Sequence, residues 1–252
     1  MLEILEEGGA DCWVVRVDGR DQSHVDLRDP TRLAFDYVRR IGDVLDAVAP
    51  AGEAIRIVHV GGAGMTLPRY VAATRATSAQ VVLEPDEALT ARVRQELPLA
   101  RRSGIKVRPV DGVTGIAALR DGYADVVVVD AFVDGRVPHD LLEREHLADV
   151  GRVLVPGGCY VLNLADQAPF ALARVVVAGL LEIFTSIMVS AEPATLRGRR
   201  PGNLVLTAAR GEVPLDALRR RARSSAAPYT VLDQRLVSDT LGGGRPLVRG
   251  PS

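Results

Sequence analysis

Glycines and acids stand at four places in the chain where each follows an apolar run, and together they are the residue types that hold a nucleoside. Gly61-Gly-Ala-Gly64 follows the run at 55–60. Gly61, Gly62 and Gly64 leave room for a ligand to approach the backbone closely. Glu84 ends the next run, about twenty residues on, where a carboxylate can accept from both hydroxyls of a ribose. Asp111-Gly112 ends the third run and offers an acid to an amino group such as that of adenine. Asp130 ends the fourth, directly after four valines. A carboxylate at the mouth of a buried strand is costly unless solvated or paired, so Asp130 is the strongest candidate for chemistry. Each residue also has a plainer reading. The glycines suit a tight turn, and Glu84 and Asp111 suit helix starts, where the dipole and free N–H groups favour acids. The order glycine pair, Glu, Asp-Gly, Asp is what favours the nucleoside. Gly61-Gly-Ala-Gly-Met-Thr66 does not give G-x-G-x-x-G, which weakens a dinucleotide reading.

Residues at the ends of successive strands need a sheet to gather them. From 55 onward, apolar runs at 55–60, 80–84, 105–110, 124–130, 159–163, 186–191 and 203–209 alternate with helical segments. This pattern predicts parallel β-α-β units, with ligands at the carboxyl edge of the sheet. Only an Arg/Gly-rich loop separates the last two runs, which predicts an antiparallel final strand. Upstream, 12–17 and 22–27 read as short strands around the turn Asp18-Gly19. Asp29-Pro30 reads as a helix start, with a helix over 31–49. The expected division is a small N-terminal β-unit and helix at 1–50, a Rossmann-like domain at 51–223, and a C-terminal tail at 224–252, extended or partly disordered.

Composition narrows the function classes. The chain has 252 residues, 47% hydrophobic and 25% charged, with net charge -1. That balance shows no electrostatic footprint for nucleic acid or a membrane surface. Cys12 and Cys159 form no zinc or C-x-x-C pattern. The acidic N-terminus lacks the features of a signal peptide, and the apolar stretch at 170–191 carries Arg174 and Glu182. A cytoplasmic protein, with no nucleic-acid or membrane partner, is expected. His139, Glu143 and His146 would share one face of a helix over 139–152, but no fourth ligand is evident, so no metal is expected. Arg197 to Arg200 reads as a solvated loop before a substrate clamp, and Trp13 as packing.

The sequence resembles the spermidine synthase-like branch of class I S-adenosylmethionine-dependent transferases. The carriers are Asp18-Gly-Arg-Asp-Gln22, Gly61-Gly62 with Arg69 eight residues on, Leu83-Glu-Pro-Asp86, Val110-Asp-Gly112, Asp125-Val-Val-Val-Val-Asp130 and Leu154-Val-Pro-Gly-Gly158. The resemblance implies an α/β, Rossmann-like class I methyltransferase fold. Its seven-stranded, mostly parallel sheet has helices on both faces and a small N-terminal β-unit. It implies that Glu84 holds a ribose, Asp111 an adenine edge, and that Gln22 lies over the nucleoside. Asp130 would accept a proton from an attacking amine, and the protein would be a homodimer.

The departures concern the substrate. Spermidine synthases carry an acid in the glycine loop that grips the amine of decarboxylated S-adenosylmethionine. Counting back from Arg69, that position is Gly64 here. The Glu after their Arg is Tyr70, their Tyr-His-Glu becomes approximately Phe35-Asp-Tyr37, and their second acid becomes Asp134, displaced by one. Tyr37 and Asp134 remain as candidate substrate-binding residues. Without the loop acid, intact S-adenosylmethionine or a product such as methylthioadenosine fits better than the decarboxylated form. Methyl transfer to a small-molecule acceptor therefore leads. Aminopropyl transfer to a diamine, as in polyamine biosynthesis, comes second, and a catalytically silent nucleoside-binding protein third.

Overall fold

The valine- and isoleucine-rich runs after residue 55 all enter one large sheet. The computed structural model describes residues 1–250. β1 (Leu2–Glu6), β2 (Cys12–Val17) and β3 (Arg20–Asp26) form a separate three-stranded antiparallel sheet. Then come α1 (Asp36–Val48), β4 (Arg56–Val60), α2 (Thr66–Thr74), β5 (Ala79–Leu83), α3 (Glu87–Glu96), β6 (Ile105–Arg108), α4 (Gly112–Ala117) and β7 (Ala124–Val129). A 3-10 turn at His139–Leu142 leads into α5 (Arg144–Val153), β8 (Leu154–Asp166), α6 (Ala171–Ile183), β9 (Ser186–Ala191), α7 (Pro193–Leu196) and β10 (Gly202–Ala209). α8 (Leu215–Ser224), β11 (Thr230–Leu232) and α9 (Gln234–Leu241) follow.

The large sheet has the order β11-β9-β10-β8-β7-β4-β5-β6. Strands β6, β5, β4, β7 and β8 run parallel, while β10 is antiparallel to β8 and β9, and β11 to β9. The chain winds from β4 out to β6, then returns to β7 on the other side of β4. That reversal opens a crevice at the carboxyl ends of β4 and β7, the usual ligand position in such sheets. Alternate residues of each strand face opposite layers, as the pleat dictates. Val58, Val60, Val127 and Val129 pack with Leu147 and Val150 of α5 and Leu180 of α6. Ile57, Val126 and Val128 pack with Ile41, Val44 and Leu45 of α1. Burying each such side chain contributes about 1.5–3 kcal/mol, which explains the near-continuous apolar strands of a sheet covered on both faces.

Several boundaries differ from the sequence reading. The sheet has eight strands, not seven, because residues 224–252 do not begin a tail. β11 pairs with β9 through Thr230↔Ala191 and Leu232↔Val189, and α9 buries Val237 and Leu241. The N-terminal helix begins at Asp36, since Asp29 instead closes a turn by accepting from Thr31 N at 3.0 Å. α1 packs on the large sheet, so the small unit ends before it. The segment at 139–152 is not one helix. Glu143 is extended between the 3-10 turn and α5, so His139, Glu143 and His146 share no helical face, and His146 is buried. Among the described residues no three His, Cys, Asp or Glu side chains are grouped to hold a metal. β10 is antiparallel as expected, though the four-residue α7 precedes it. No helix of the described residues is long and apolar enough to cross a membrane. Both cysteines are free and buried.

Candidate functional site

The parallel ladder runs one residue past the named strands and so brings the sequence candidates side by side. Gly61 N donates to Leu83 O at 3.0 Å, Asp130 N to Val60 O at 2.9 Å, and Glu84 N to Arg108 O at 3.1 Å. Gly61 is required twice over. Its φ is +93°, and a Cβ there would lie 2.4 Å from Asp130 O. The loop beyond it keeps turning through left-handed conformations at Ala63 and Met65. Glu84 fastens this loop: Gly62 N donates to Oε2 at 2.8 Å and Asp86 N to Oε1 at 3.0 Å. Ala63 N also approaches Oε2, at 3.4 Å, so of the about four acceptor positions of a carboxylate Glu84 keeps one for a ligand's hydroxyl. Arg69 is buried behind the loop and ties it to the end of α3. It donates to Gly64 O at 3.0 Å, Pro98 O at 3.1 Å and Leu97 O at 2.5 Å, and desolvation brings its pKa down to about 10.

These strand ends enclose a cleft of about 540 Å³, within the range of small-molecule sites. Gln22, Gly61, Gly62, Glu84, Asp111, Gly112, Asp130 and Asp134 all line it. Gly64 does not. It lies under the N-terminal sheet, where a Cβ would meet Ser23 Cβ at 2.8 Å and Val25 Cγ2 at 2.9 Å. The loop residue that reaches the cleft is Ala63. Tyr37 lines a smaller chamber of about 50 Å³, which shares Gln22, Gly61, Gly62, Asp130 and Phe132 with the cleft. Asp134 is exposed at the rim with φ +52°. The cleft is acidic: seven carboxylates line it against the single guanidinium of Arg20. Arg197, Arg199 and Arg200 do not line it, and Arg200 pairs with Glu192.

Asp130 stands where cleft and chamber meet. Its carboxyl has one hydrogen-bond donor in the protein, Asn163 Nδ2 at 2.9 Å from Oδ1. Desolvation outweighs that bond and raises its pKa to about 6. Asn163 is itself held by Asn203 Nδ2, 2.9 Å from its Oδ1. Burial, with the charge of Asp130 nearby, raises the pKa of the Tyr37 phenol. Asp111 caps α4 by accepting from Thr114 N at 2.8 Å, which lowers its pKa. Asn163 and Asn203 were not singled out in the sequence. They lie inside apolar strands, where a polar residue on a buried face is the available signal.

Neither a family model nor a curated protein matches the sequence. Solved structures do match it. A probable spermidine synthase from Corynebacterium glutamicum superposes with a TM-score of 0.92 at 27% identity, covering 100% of this chain and 94% of that one. The fold is spermidine synthase-like. Other structures of the class I type agree more loosely. Human methyltransferase-like protein 13, in complex with SAH, gives a TM-score of 0.61 at 22% identity, covering 82% of this chain and 100% of that one. Spermidine synthase in complex with the transition state analogue AdoDATO gives 0.61 at 14% identity, covering 95% and 80%. Within the spermidine synthase-like fold, this chain has neither an acid at residue 64 nor room for one. A polar row, Asn203-Asn163-Asp130, runs across one face of its sheet.

Proposed function

We propose that the protein transfers a methyl group from intact S-adenosylmethionine to a small amine. The observation that carries this reading is Asp130, a desolvated carboxylate with one neutral partner at the switch point of the sheet. What supports an adenosyl ligand is the fit of the cleft. Gly61 and Gly62 allow close backbone approach, Glu84 keeps acceptor capacity for a ribose hydroxyl, and the oxygen of Asp111 not used in capping is available to an adenine amino group. Gln22 lies beside both cavities. What supports the intact donor is the uncharged glycine loop together with Arg20, a guanidinium suited to a carboxylate. When bound, the sulfonium supplies an electrophilic carbon whose bond to sulfur breaks, with the electron pair leaving on sulfur, as the acceptor nitrogen bonds to carbon. The protein's own part is alignment. Asp130 accepts the proton that the nitrogen sheds, and Asn163 and Asn203 hold that carboxylate in place.

Aminopropyl transfer to a diamine is the second reading. The seven carboxylates of the cleft, Asp130 and Asp134 among them, favour a polycation, and the likeness to a probable spermidine synthase supports it too. Calorimetry with S-adenosylmethionine, its decarboxylated form and methylthioadenosine, followed by mass analysis of reactions with primary amines, separates the two. The expected result is no preference for the decarboxylated donor, and a methylated amine. A hundredfold preference for the decarboxylated donor, about 2.7 kcal/mol, moves the assignment to aminopropyl transfer. Binding without any turnover returns the protein to a nucleoside-binding role.

A further inference from the structure

The row Asn203-Asn163-Asp130 has a direction, and the direction decides what Asp130 can be. All three residues lie on the face of Val128, Val161 and Val205, the face that α1 covers. Asn163 is fully buried, and both ends of its amide are engaged. Its Nδ2 donates to Asp130 Oδ1 at 2.9 Å, and its Oδ1 accepts from Asn203 Nδ2 at 2.9 Å. Turned end for end, the amide would present its oxygen to Asp130. An ionised carboxylate has no hydrogen to offer that oxygen, whereas a protonated carboxyl does. The orientation of Asn163 therefore selects the protonation state of Asp130. Asn203 locks that orientation, because a donor at its end can be met only by the oxygen of Asn163. Reversing the row takes both amides at once. The main chain of Asn203 is fixed as well. Arg40 of α1, 2% exposed, donates to Asn203 O at 3.0 Å and to Ser190 O at 2.8 Å, joining β10 to β9 beneath the helix.

Among the described residues, no other hydrogen bond supplies this bias. Asp130 Oδ2 has no partner, and it is not sealed from the open space that Asp130 lines. Tyr37 of α1 and Gln22 line the same chamber, and neither is hydrogen-bonded to Asp130. The other titratable side chains of the chamber wall are the Tyr37 phenol, kept protonated by burial, and His59 of β4, kept neutral with a pKa of about 4. No lysine or arginine lines the chamber, and the cleft beyond adds further carboxylates and Arg20. Burial alone drives Asp130 towards its neutral form, and the bond from Asn163 opposes it. We propose that Asn203 is a positioning residue: by holding the Asn163 amide with its N–H groups toward Asp130, it keeps that carboxyl ionised and leaves Oδ2 as the oxygen that receives the proton. The second half of this assignment rests on the transferase reading and deepens it. As the acceptor nitrogen bonds to carbon, its N–H bond breaks, the proton passes to Oδ2, and the bonding pair stays on nitrogen. Oδ1 keeps its bond from Asn163 throughout, so no amide turns during the transfer.

Asn203→Asp tests this with a side chain of the same shape that only accepts. Asn163 should then turn its N–H groups to the new carboxylate and its oxygen to Asp130, raising the proton affinity of Asp130 about tenfold or more. The acidic limb of turnover should move up from about pH 6, with the loss greatest at low pH and shrinking as pH rises. A merely structural role gives an equal loss at every pH. Asn203→Leu removes the donor without adding charge, which separates orientation from simple repulsion. It should move the limb in the same direction by a smaller amount. In the native protein, NMR signals of the Asn163 side-chain N–H groups should follow the titration of Asp130. An unmoved limb in folded Asn203→Leu, a loss independent of pH in Asn203→Asp, or native Asn163 signals that ignore the Asp130 titration would each overturn the role of Asn203. Carbon NMR of the Asp130 carboxyl reads the same titrations without turnover. A protein that binds no methylthioadenosine therefore refutes the transferase reading, while these titrations still decide what Asn203 does.

Discussion

Asp130 joins two demands at one carboxyl: it must be reactive, and the fold must tolerate it. With a pKa near 6 it is ionised at pH 7 and can take a proton, and it loses that capacity as pH falls. Turnover should therefore decline through about pH 6, and Asp130→Asn should lower it about 10²–10⁴-fold with donor affinity little changed. The same shift sets a stability signature. The folded state binds the proton more tightly than the unfolded chain, so the favourable contribution is present below the ordinary carboxyl value of 3.8 and is lost as pH rises through about 6. The amide oxygen of Asn can still accept from Asn163. Asp130→Asn should thus be more stable than the native protein at pH 8, by on the order of 2 kcal/mol, and the gain should vanish below pH 3.8. Melting curves across pH with single-turnover rates check both. A fully active Asp130→Asn protein, or one less stable at pH 8, removes the residue from the chemistry. Glu84→Ala should cost nucleoside affinity about 1–3 kcal/mol, and unchanged affinity in a folded variant would refute the ribose assignment.

At the scale of elements, the site is the place where β4 and β7 come close enough to need glycine. Gly61→Ala should destabilise by more than about 1 kcal/mol, since φ is positive there. It should also cut nucleoside affinity and turnover together, because a Cβ 2.4 Å from Asp130 O forces the two strand ends apart. Normal rates in a well-folded Gly61→Ala protein would show that this spacing is not critical. These strand ends were legible in the sequence because each is a polar or glycine residue closing an apolar run. The helix start at Asp36 was not, since Asp29 can close a turn or cap a helix with the same side chain. The break at Glu143 was hidden because its neighbours carry helical periodicity on both sides. His59 and Asn163 read as ordinary strand residues in the sequence, for only the neighbouring strands show that their side chains share the face of Asp130. Gly64 is a related case. Its distance from Arg69 suggested a place in the cleft, but the left-handed residues beside it turn it under the N-terminal sheet.

The molecule as a whole separates the edge that carries the chemistry from the edge that completes the core. β11 and α9 stand at the far side of the sheet, with β9, β10 and β8 between them and β7. The segment reads as a tail in the sequence because a three-residue strand has no periodicity to detect, and its reason for existing is the β9 edge that it covers. Arg174, which broke up the apolar stretch at 170–191, fastens the end of α9 by donating to Thr240 O at 3.0 Å and Gly242 O at 2.5 Å. Leu241 is fully buried among the residues that α9 shares with α6 and β9. Leu241→Ala should therefore cost about 2–5 kcal/mol by leaving a cavity, a large share of the roughly 5–15 kcal/mol that holds a domain together. Nucleoside affinity, measured at a temperature where the variant is still folded, should be unchanged, because no residue of α9 or β11 lines the cleft. A drop in melting temperature with intact binding is the expected pair. A tenfold loss of nucleoside affinity in folded Leu241→Ala would mean that packing at the far edge sets the spacing of β4 and β7, and that the two edges are one cooperative unit.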